Sequence, residues 1–201
     1  GCAGGVDTTA KFAYTPVEVA EGDVAIKVSL TGCKGGHSGC DIHLQRANAN
    51  KLLFRFLKEA VANYEARLAC VEGGSLRNAI PREASAVMLF NPDDMDGLDD
   101  YIKEYEALLN AEFEGIEKDI VLKIEETDMP LAVVPEDIQD NMISMMLAIQ
   151  NGVMRMIPTI PDTVETSSNL AIVTIGGGKV EVRILARSSC DSMKEFLADS
   201  L

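Results

Sequence analysis

Three polar side chains beside glycines or strand ends are the candidates for chemistry in this sequence. His37 lies in Gly35-Gly36-His37-Ser38-Gly39, where flanking glycines permit positive φ and let another molecule approach the backbone. A surface or capping histidine is the alternative interpretation. Asn78 falls at a predicted connection between strands, where it could equally be a turn residue. Arg187 ends a predicted strand, and its planar guanidinium suits a carboxylate; Arg183, on the same strand face by period-two counting, is the alternative.

The sequence lacks a complete catalytic apparatus of its own. A hydrolase needs an activated nucleophile or metal ligands with an open coordination position. The two histidines, His37 and His43, are not part of an HExxH or HxD arrangement, and no GxSxG nucleophile elbow is present. The glycines at 176–178 lack the strand and helix context of a dinucleotide site, so they predict a hairpin turn.

Composition and charge narrow the classes of partner. The 201 residues are 47% hydrophobic and 25% charged, as in an ordinary globular protein, and carry a formal net charge of -14. A field of this sign repels phosphate backbones and anionic lipids, so we expect neither nucleic acid nor a membrane surface as a partner. No apolar run approaches the roughly 20 residues of a membrane span, and no secretory signal is visible.

The cysteines indicate a reducing compartment. They are odd in number, scattered and without a CxxC pair, which favours reduced thiols in the cytoplasm over disulfides or a structural zinc site. The five are Cys2, Cys33, Cys40, Cys70 and Cys190. The chain opens on Gly1 without an initiator methionine, which predicts an excised fragment.

Hydrophobic periodicity predicts strands and helices in a recurring order. Strands are predicted at 24–30, 67–71, 84–90, 119–125, 152–157, 169–175 and 179–186, and helices at 41–64, 98–113, 135–149 and 190–201. The order β-α-β-β-α occurs twice, with equivalent elements about 95 residues apart; chance recurrence is the alternative to internal duplication. The predicted fold is α+β, an antiparallel sheet covered on one side by helices and built from two ferredoxin-like halves. Residues 156–168 are predicted to form a long loop across the open face.

Several motifs resemble one known family. GGHSGCDIH at 35–43 and RANANKL at 46–52 closely resemble the aminoacyl-histidine dipeptidases, the carnosine-cleaving bacterial branch of the zinc peptidases of family M20. RNAIPREA at 77–84, TVETSSNL at 163–170 and RSS at 187–189 resemble the same branch. The motifs follow the family's order over nearly the whole chain, which is far more specific than one short pattern.

The resemblance implies a two-domain dipeptidase for Xaa-His peptides, in which an inserted lid and dimerisation domain interrupts a zinc-binding catalytic domain. Residues 1–22 would lead in from the catalytic domain, and 23–201 would form the lid, with halves at about 23–117 and 118–201. The zinc ligands and the general-base glutamate would lie outside this segment, so the fragment is expected to bind no zinc and to be inactive alone.

The resemblance also implies roles for the three candidates. His37 matches the lid histidine that donates to the scissile carbonyl oxygen as it becomes an oxyanion; in dimeric relatives the active site that it reaches can belong to the other subunit. Asn78 and Arg187 match the residues that hold the terminal carboxylate of the substrate, with Arg183 as the fallback for Arg187. The implied partners are a dipeptide, the catalytic domain of the same polypeptide and a second copy in a homodimer. The alternative is a free-standing ferredoxin-like module that binds a small ligand for regulation or drives oligomerisation.

Overall fold

The computed structural model describes residues 3–201, so the expectation of a reduced thiol at Cys2 lies outside the described residues. The strands are β1 Gly4–Ala13, β2 Val24–Thr31, β3 Gly36–His37, β4 Arg67–Gly73, β5 Ala79–Ile80, β6 Ala84–Phe90, β7 Val121–Glu126, β8 Gly152–Met156, β9 Val164–Gly176 and β10 Lys179–Ser188. The helices are α1 Ala49–Tyr64, α2 Leu98–Glu112, α3 Glu136–Ala148 and α4 Asp191–Ser200, with short 3-10 turns at Ile42–Leu44 and Pro92–Asp94.

The large sheet has eight strands, and every pairing in it is antiparallel. Its order is β1-β10-β9-β4-β6-β2-β7, with β8 paired beside β9. Residues 24–126 form a complete β-α-β-β-α-β unit with the ferredoxin-like neighbours β7-β2-β6-β4. The α+β class with a helix-covered antiparallel sheet is confirmed.

The two halves of the chain use their strands differently. The first strand of the second half, β7, pairs with β2 and so completes the first unit. The corresponding place beside β10 is taken by β1, an edge strand that hydrophobic periodicity did not predict. Its composition explains this, because the half-buried face carries Val6, Thr8 and Ala10 and so shows no run of alternating apolar residues.

Strand directions bring the three candidate residues to one end of the sheet. Since β6 lies antiparallel between β2 and β4, those two strands run the same way. Since β9 lies antiparallel between β4 and β10, β10 also runs that way. His37 follows β2, Asn78 follows β4 and Arg187 lies at the end of β10, so the topology places all three at the same end.

Two element boundaries differ from the sequence prediction for local reasons. The helix predicted from residue 41 begins only at Ala49, because Asn48 is extended and its side chain accepts from the Lys51 N–H as an N-cap. The predicted loop at 156–168 is shorter in the structure and spans 157–163, since β8 ends at Met156 and β9 already begins at Val164. Polar residues occupy the start of β9, which hid it from a search for apolar alternation.

The main core lies between the sheet and α1, α2 and α3. Val28 and Leu30 of β2 pack there with Leu53 and Phe56 of α1, all fully buried. Helix α4 packs on β10 and β1 and buries Leu197. In residues 3–201 no helix is both long enough and apolar enough to cross a membrane.

Two loops cover the opposite face of the sheet at the end where His37, Asn78 and Arg187 lie. We call residues 32–48 the histidine loop and residues 74–83 the asparagine loop; they connect β2 to α1 and β4 to β6. Their short strands β3 and β5 pair with each other above the sheet. Asn169 and Leu185 face these loops and are 1% and 2% exposed, so this part of the face is dry.

Candidate functional site

The ring of His37 is exposed and oriented by its own loop. Its Nδ1 accepts from the backbone N–H groups of Gly39 at 3.0 Å and Cys40 at 3.1 Å. An acceptor at Nδ1 means that the neutral ring carries its proton on Nε2. The free nitrogen of His37 is therefore a hydrogen-bond donor, which is the tautomer needed to bind a carbonyl oxygen that gains negative charge.

The histidine loop requires glycine at Gly36. Its φ is +143°, and a Cβ there would lie 2.7 Å from both Arg46 Nη1 and Asp41 Oδ2. Those side chains brace the loop, because Asp41 accepts from His37 N–H at 2.8 Å and Arg46 donates to the Gly35 carbonyl at 2.6 Å. Any larger residue would displace the groups that hold the backbone of His37.

Glu117 ties both ends of the histidine loop to the rest of the domain. Its carboxylate accepts from the backbone N–H of Lys34 at 2.8 Å and of Ala47 at 2.9 Å, and the residue is only 4% exposed. Burial raises the pKa of the neighbouring Cys33 thiol to about 12, and the charge of Glu117 adds to that effect. Cys33 is therefore a protonated thiol that packs at the loop base.

Replacing Glu117 with alanine should destabilise the domain by about 2–4 kcal/mol, because two backbone donors at the loop base lose their acceptor. Urea unfolding of the chain, followed by circular dichroism, measures this change. Glu114→Ala is the matched control, since Glu114 is exposed three residues earlier and should change stability by less than about 0.5 kcal/mol. Equal midpoints for the two variants would show that Glu117 does not anchor the loop.

Arg187 meets His37 at Gly39. A Cβ built on Gly39 would lie 3.2 Å from His37 Cε1 and 3.3 Å from Arg187 Cζ and Nε, so both side chains pack around this glycine. Arg187 Nε is buried and has no hydrogen-bond partner within the described part of the chain. A half-buried guanidinium is suited to an anionic ligand.

Arg183 lies in different surroundings. It is exposed and forms an ion pair with Glu181 on its own strand. Lys11 of β1 pairs with the same carboxylate at 3.2 Å. Of the two arginines considered from the sequence, the structure brings only Arg187 next to His37.

Asn78 is exposed on the asparagine loop and joins His37 through the backbone. Its carbonyl accepts from Ser38 N–H at 2.9 Å, directly beside His37. Both residues line an open groove of about 980 Å³ along the sheet face, together with Glu72 and Arg82. Arg187 does not line this groove. His37 is therefore the residue that lies both in the groove and next to Arg187.

The arrangement can bind an anion or a polarised oxygen, but it does not fit a metal. Across residues 3–201 there is no group of three histidine, cysteine, aspartate or glutamate side chains placed to hold a metal ion. The four described cysteines, Cys33, Cys40, Cys70 and Cys190, are free thiols.

Two residues near the site carried no role in the sequence interpretation. Glu117 gave no local signal, because its partners lie 83 and 70 residues away in the chain. Asn169 is 1% exposed. It lies within the TVETSSNL motif at 163–170, and its place in that motif is the signal that could have singled it out. Its contacts with the asparagine loop appear only in the folded chain.

Comparison with known proteins identifies the class of this domain. Residues 28–117 match the family model described as a peptidase dimerisation domain, M20_dimer. This range covers the first unit up to the turn that carries Glu117. Residues 28–117 are therefore a dimerisation domain of the M20_dimer type.

Within that class the chain is similar to dipeptidases over its whole length. It is 38% identical over 201 residues to the cytosol non-specific dipeptidase of Escherichia coli (strain K12), covering 100% of this chain and 41% of that protein. The crystal structure of aminoacylhistidine dipeptidase from Vibrio alginolyticus matches 99% of this chain and 42% of its own with a TM-score of 0.92 and 40% identity. The resemblance to the aminoacyl-histidine dipeptidases is confirmed, and the chain spans about two fifths of these relatives.

Proposed function

We propose that this chain is the lid and dimerisation domain of a metallodipeptidase that hydrolyses Xaa-His dipeptides in the cytoplasm. The observation that carries the proposal is the meeting of His37 and Arg187 at Gly39. One side chain offers an oriented N–H donor, and the other offers a half-buried guanidinium. The names of the two relatives support a dipeptidase.

In this proposal His37 acts on the scissile carbonyl. As the carbonyl is attacked, its oxygen gains negative charge, and Nε2–H of His37 donates to it. The two hydrogen bonds at Nδ1 hold the donor in place before the reaction, so no reorganisation is needed at the transition state. A donor of this kind typically contributes about 3 kcal/mol to lowering the barrier.

Arg187 and Asn78 hold the terminal carboxylate of the dipeptide. A guanidinium binds a carboxylate with two parallel N–H···O bonds, which fixes orientation as well as affinity. The amide of Asn78 adds a further donor from the exposed asparagine loop. Recognition of the free carboxylate close to the scissile carbonyl would limit the leaving group to a single C-terminal residue.

The metal and the partner subunit are proposed for the whole protein and not for this chain alone. We expect zinc to be held by a catalytic domain outside this chain, since the described residues do not fit a metal. A second copy of the chain is the expected partner in a homodimer, as the family description suggests. The net charge of -14 leaves nucleic acid and anionic membranes as unfavourable partners.

A substrate without the terminal carboxylate tests this function. The whole protein should cleave an Xaa-His dipeptide, and its kcat/KM should fall about 100-fold for the matching C-terminal amide, because the charge-assisted bonds contribute about 3 kcal/mol. Steady-state kinetics on the two substrates measures the ratio. Equal kcat/KM values would refute the carboxylate clamp. Turnover by the isolated chain with added zinc would refute the proposal that the metal site lies in a separate catalytic domain.

A further inference from the structure

Asn169 of β9 contacts the asparagine loop on both sides of Asn78. Its Nδ2 donates to the carbonyl of Ala79 at 2.8 Å and lies 3.5 Å from the carbonyl of Arg77. Asn78 is therefore flanked by the two carbonyls that a single buried amide faces. A buried hydrogen bond of 2.8 Å fixes the position and direction of the carbonyl that accepts it.

The orientation of this amide is determined by its surroundings. If it were flipped, Oδ1 would face the Ala79 carbonyl, and two acceptors would repel each other. In the observed orientation Oδ1 is buried and has no hydrogen-bond partner among residues 3–201. A buried acceptor without a partner is unfavourable for stability, which points to a role other than stabilising the fold.

Asn169 also lies beside Arg187 on the sheet. It pairs with Leu185, two residues before Arg187 on β10, and Ser167 pairs with Arg187 itself. Side chains of directly paired residues lie on the same sheet face, and alternate residues along a strand share that face. Asn169 and Arg187 are therefore diagonal neighbours on the face that the two loops cover.

Other contacts confine the asparagine loop to this position on the sheet. Gly74, at its start, has a φ of +70°, and a Cβ there would lie 1.8 Å from the Ala171 carbonyl of β9. Arg77 forms an ion pair with Asp7 of β1 at 2.9 Å. The loop thus rests on β9 and β1, although it connects β4 to β6.

We infer that Asn169 is a positioning residue that holds Asn78 at a fixed distance from Arg187, so that both residues can bind the same carboxylate. The inference rests on the proposed function, because the clamp belongs to it. Arg187 is fixed on β10, but Asn78 is carried by an exposed loop. The buried amide of Asn169 connects the loop beside Asn78 to the sheet beside Arg187, and the exposed Arg77–Asp7 ion pair is a second link.

The test compares an Xaa-His dipeptide with its C-terminal amide in the whole protein. Asn169→Ala should raise KM for the free dipeptide about 10-fold or more and leave kcat within about threefold. It should leave kcat/KM for the amide nearly unchanged, because that substrate does not use the clamp. The preference for the free acid should therefore fall by about the same factor. Thr174→Ala, an exposed position on the same strand, is the matched control and should behave as wild type.

The outcomes separate this inference from the proposed function. If the wild type prefers the acid and Asn169→Ala keeps that preference, the inference is wrong and the function stands. Equal loss on both substrates would show a merely structural role and would also overturn it. A wild type without acid preference would remove the clamp and the inference together. If the alanine variant folds poorly by circular dichroism, Asn169→Ser gives the same comparison, because its hydroxyl cannot reach both carbonyls.

Discussion

Replacing His37 with alanine should lower kcat of the whole protein on Xaa-His dipeptides about 100- to 1000-fold, with little change in KM. The reason is that the Nε2–H donor acts on charge that exists only in the transition state. The two backbone N–H groups that donate to Nδ1 fix the orientation of the ring. Removal of the ring therefore loses the whole transition-state stabilisation of a preoriented donor. Metal content should be unchanged, because in the proposed function His37 binds the substrate and is not a metal ligand.

His43→Ala is the matched control for this prediction. His43 lies six residues later in the same loop, is exposed, and belongs to the short 3-10 turn Ile42–Leu44. It should retain wild-type kcat. Steady-state kinetics and metal analysis on both variants decide the matter. An unchanged kcat for His37→Ala would refute the oxyanion role. Loss of metal from this variant would show that His37 is a metal ligand instead.

Replacing Arg187 with alanine should raise KM for the same substrates about 100-fold and affect kcat much less, because the arginine binds a carboxylate that does not react. Arg187→Lys should recover only part of this loss, since an ammonium cannot form two parallel bonds. The folded protein should tolerate the alanine, because Nε of Arg187 gives up no hydrogen bond among the described residues.

Arg183→Ala provides the matched control on the same strand. Arg183 is exposed and already pairs with Glu181, so its removal should leave KM within about twofold of wild type. The reverse result, with a large change for Arg183 and none for Arg187, would assign the clamp to the fallback residue. Inhibition by free histidine, which carries the same carboxylate, should weaken in parallel with KM.

Periodicity in the sequence predicted most of the elements but not their neighbours. Strand β6 was predicted with its observed bounds, because alternate apolar residues of an interior strand face the main core. Strand β1 was missed, since an edge strand in contact with water needs no such alternation. The place of β7 beside β2 was also missed, because pairing is decided by the whole sheet and not by any segment.

The candidate residues were predicted from their types and their loops, and their arrangement was not. Glycines around His37 indicated a close backbone approach, and Gly36 with its φ of +143° shows why. The choice between Arg187 and Arg183 could not be made from the sequence, because both fall on one strand face. Only the folded histidine loop, which brings Gly39 against Arg187, distinguishes them.

The sequence by itself determined which groups are available: one histidine in a glycine-rich loop, an amide, two arginines, a negative net charge and a dipeptidase resemblance. The tertiary structure decided which of them meet. Parallel directions of β2, β4 and β10 bring three distant segments to one end of the sheet. Buried side chains such as Glu117 and Asn169 then fix the loops across separations of 70 to 92 residues. Local patterns cannot encode such contacts, because each depends on strand pairing that forms only when the whole sheet is assembled.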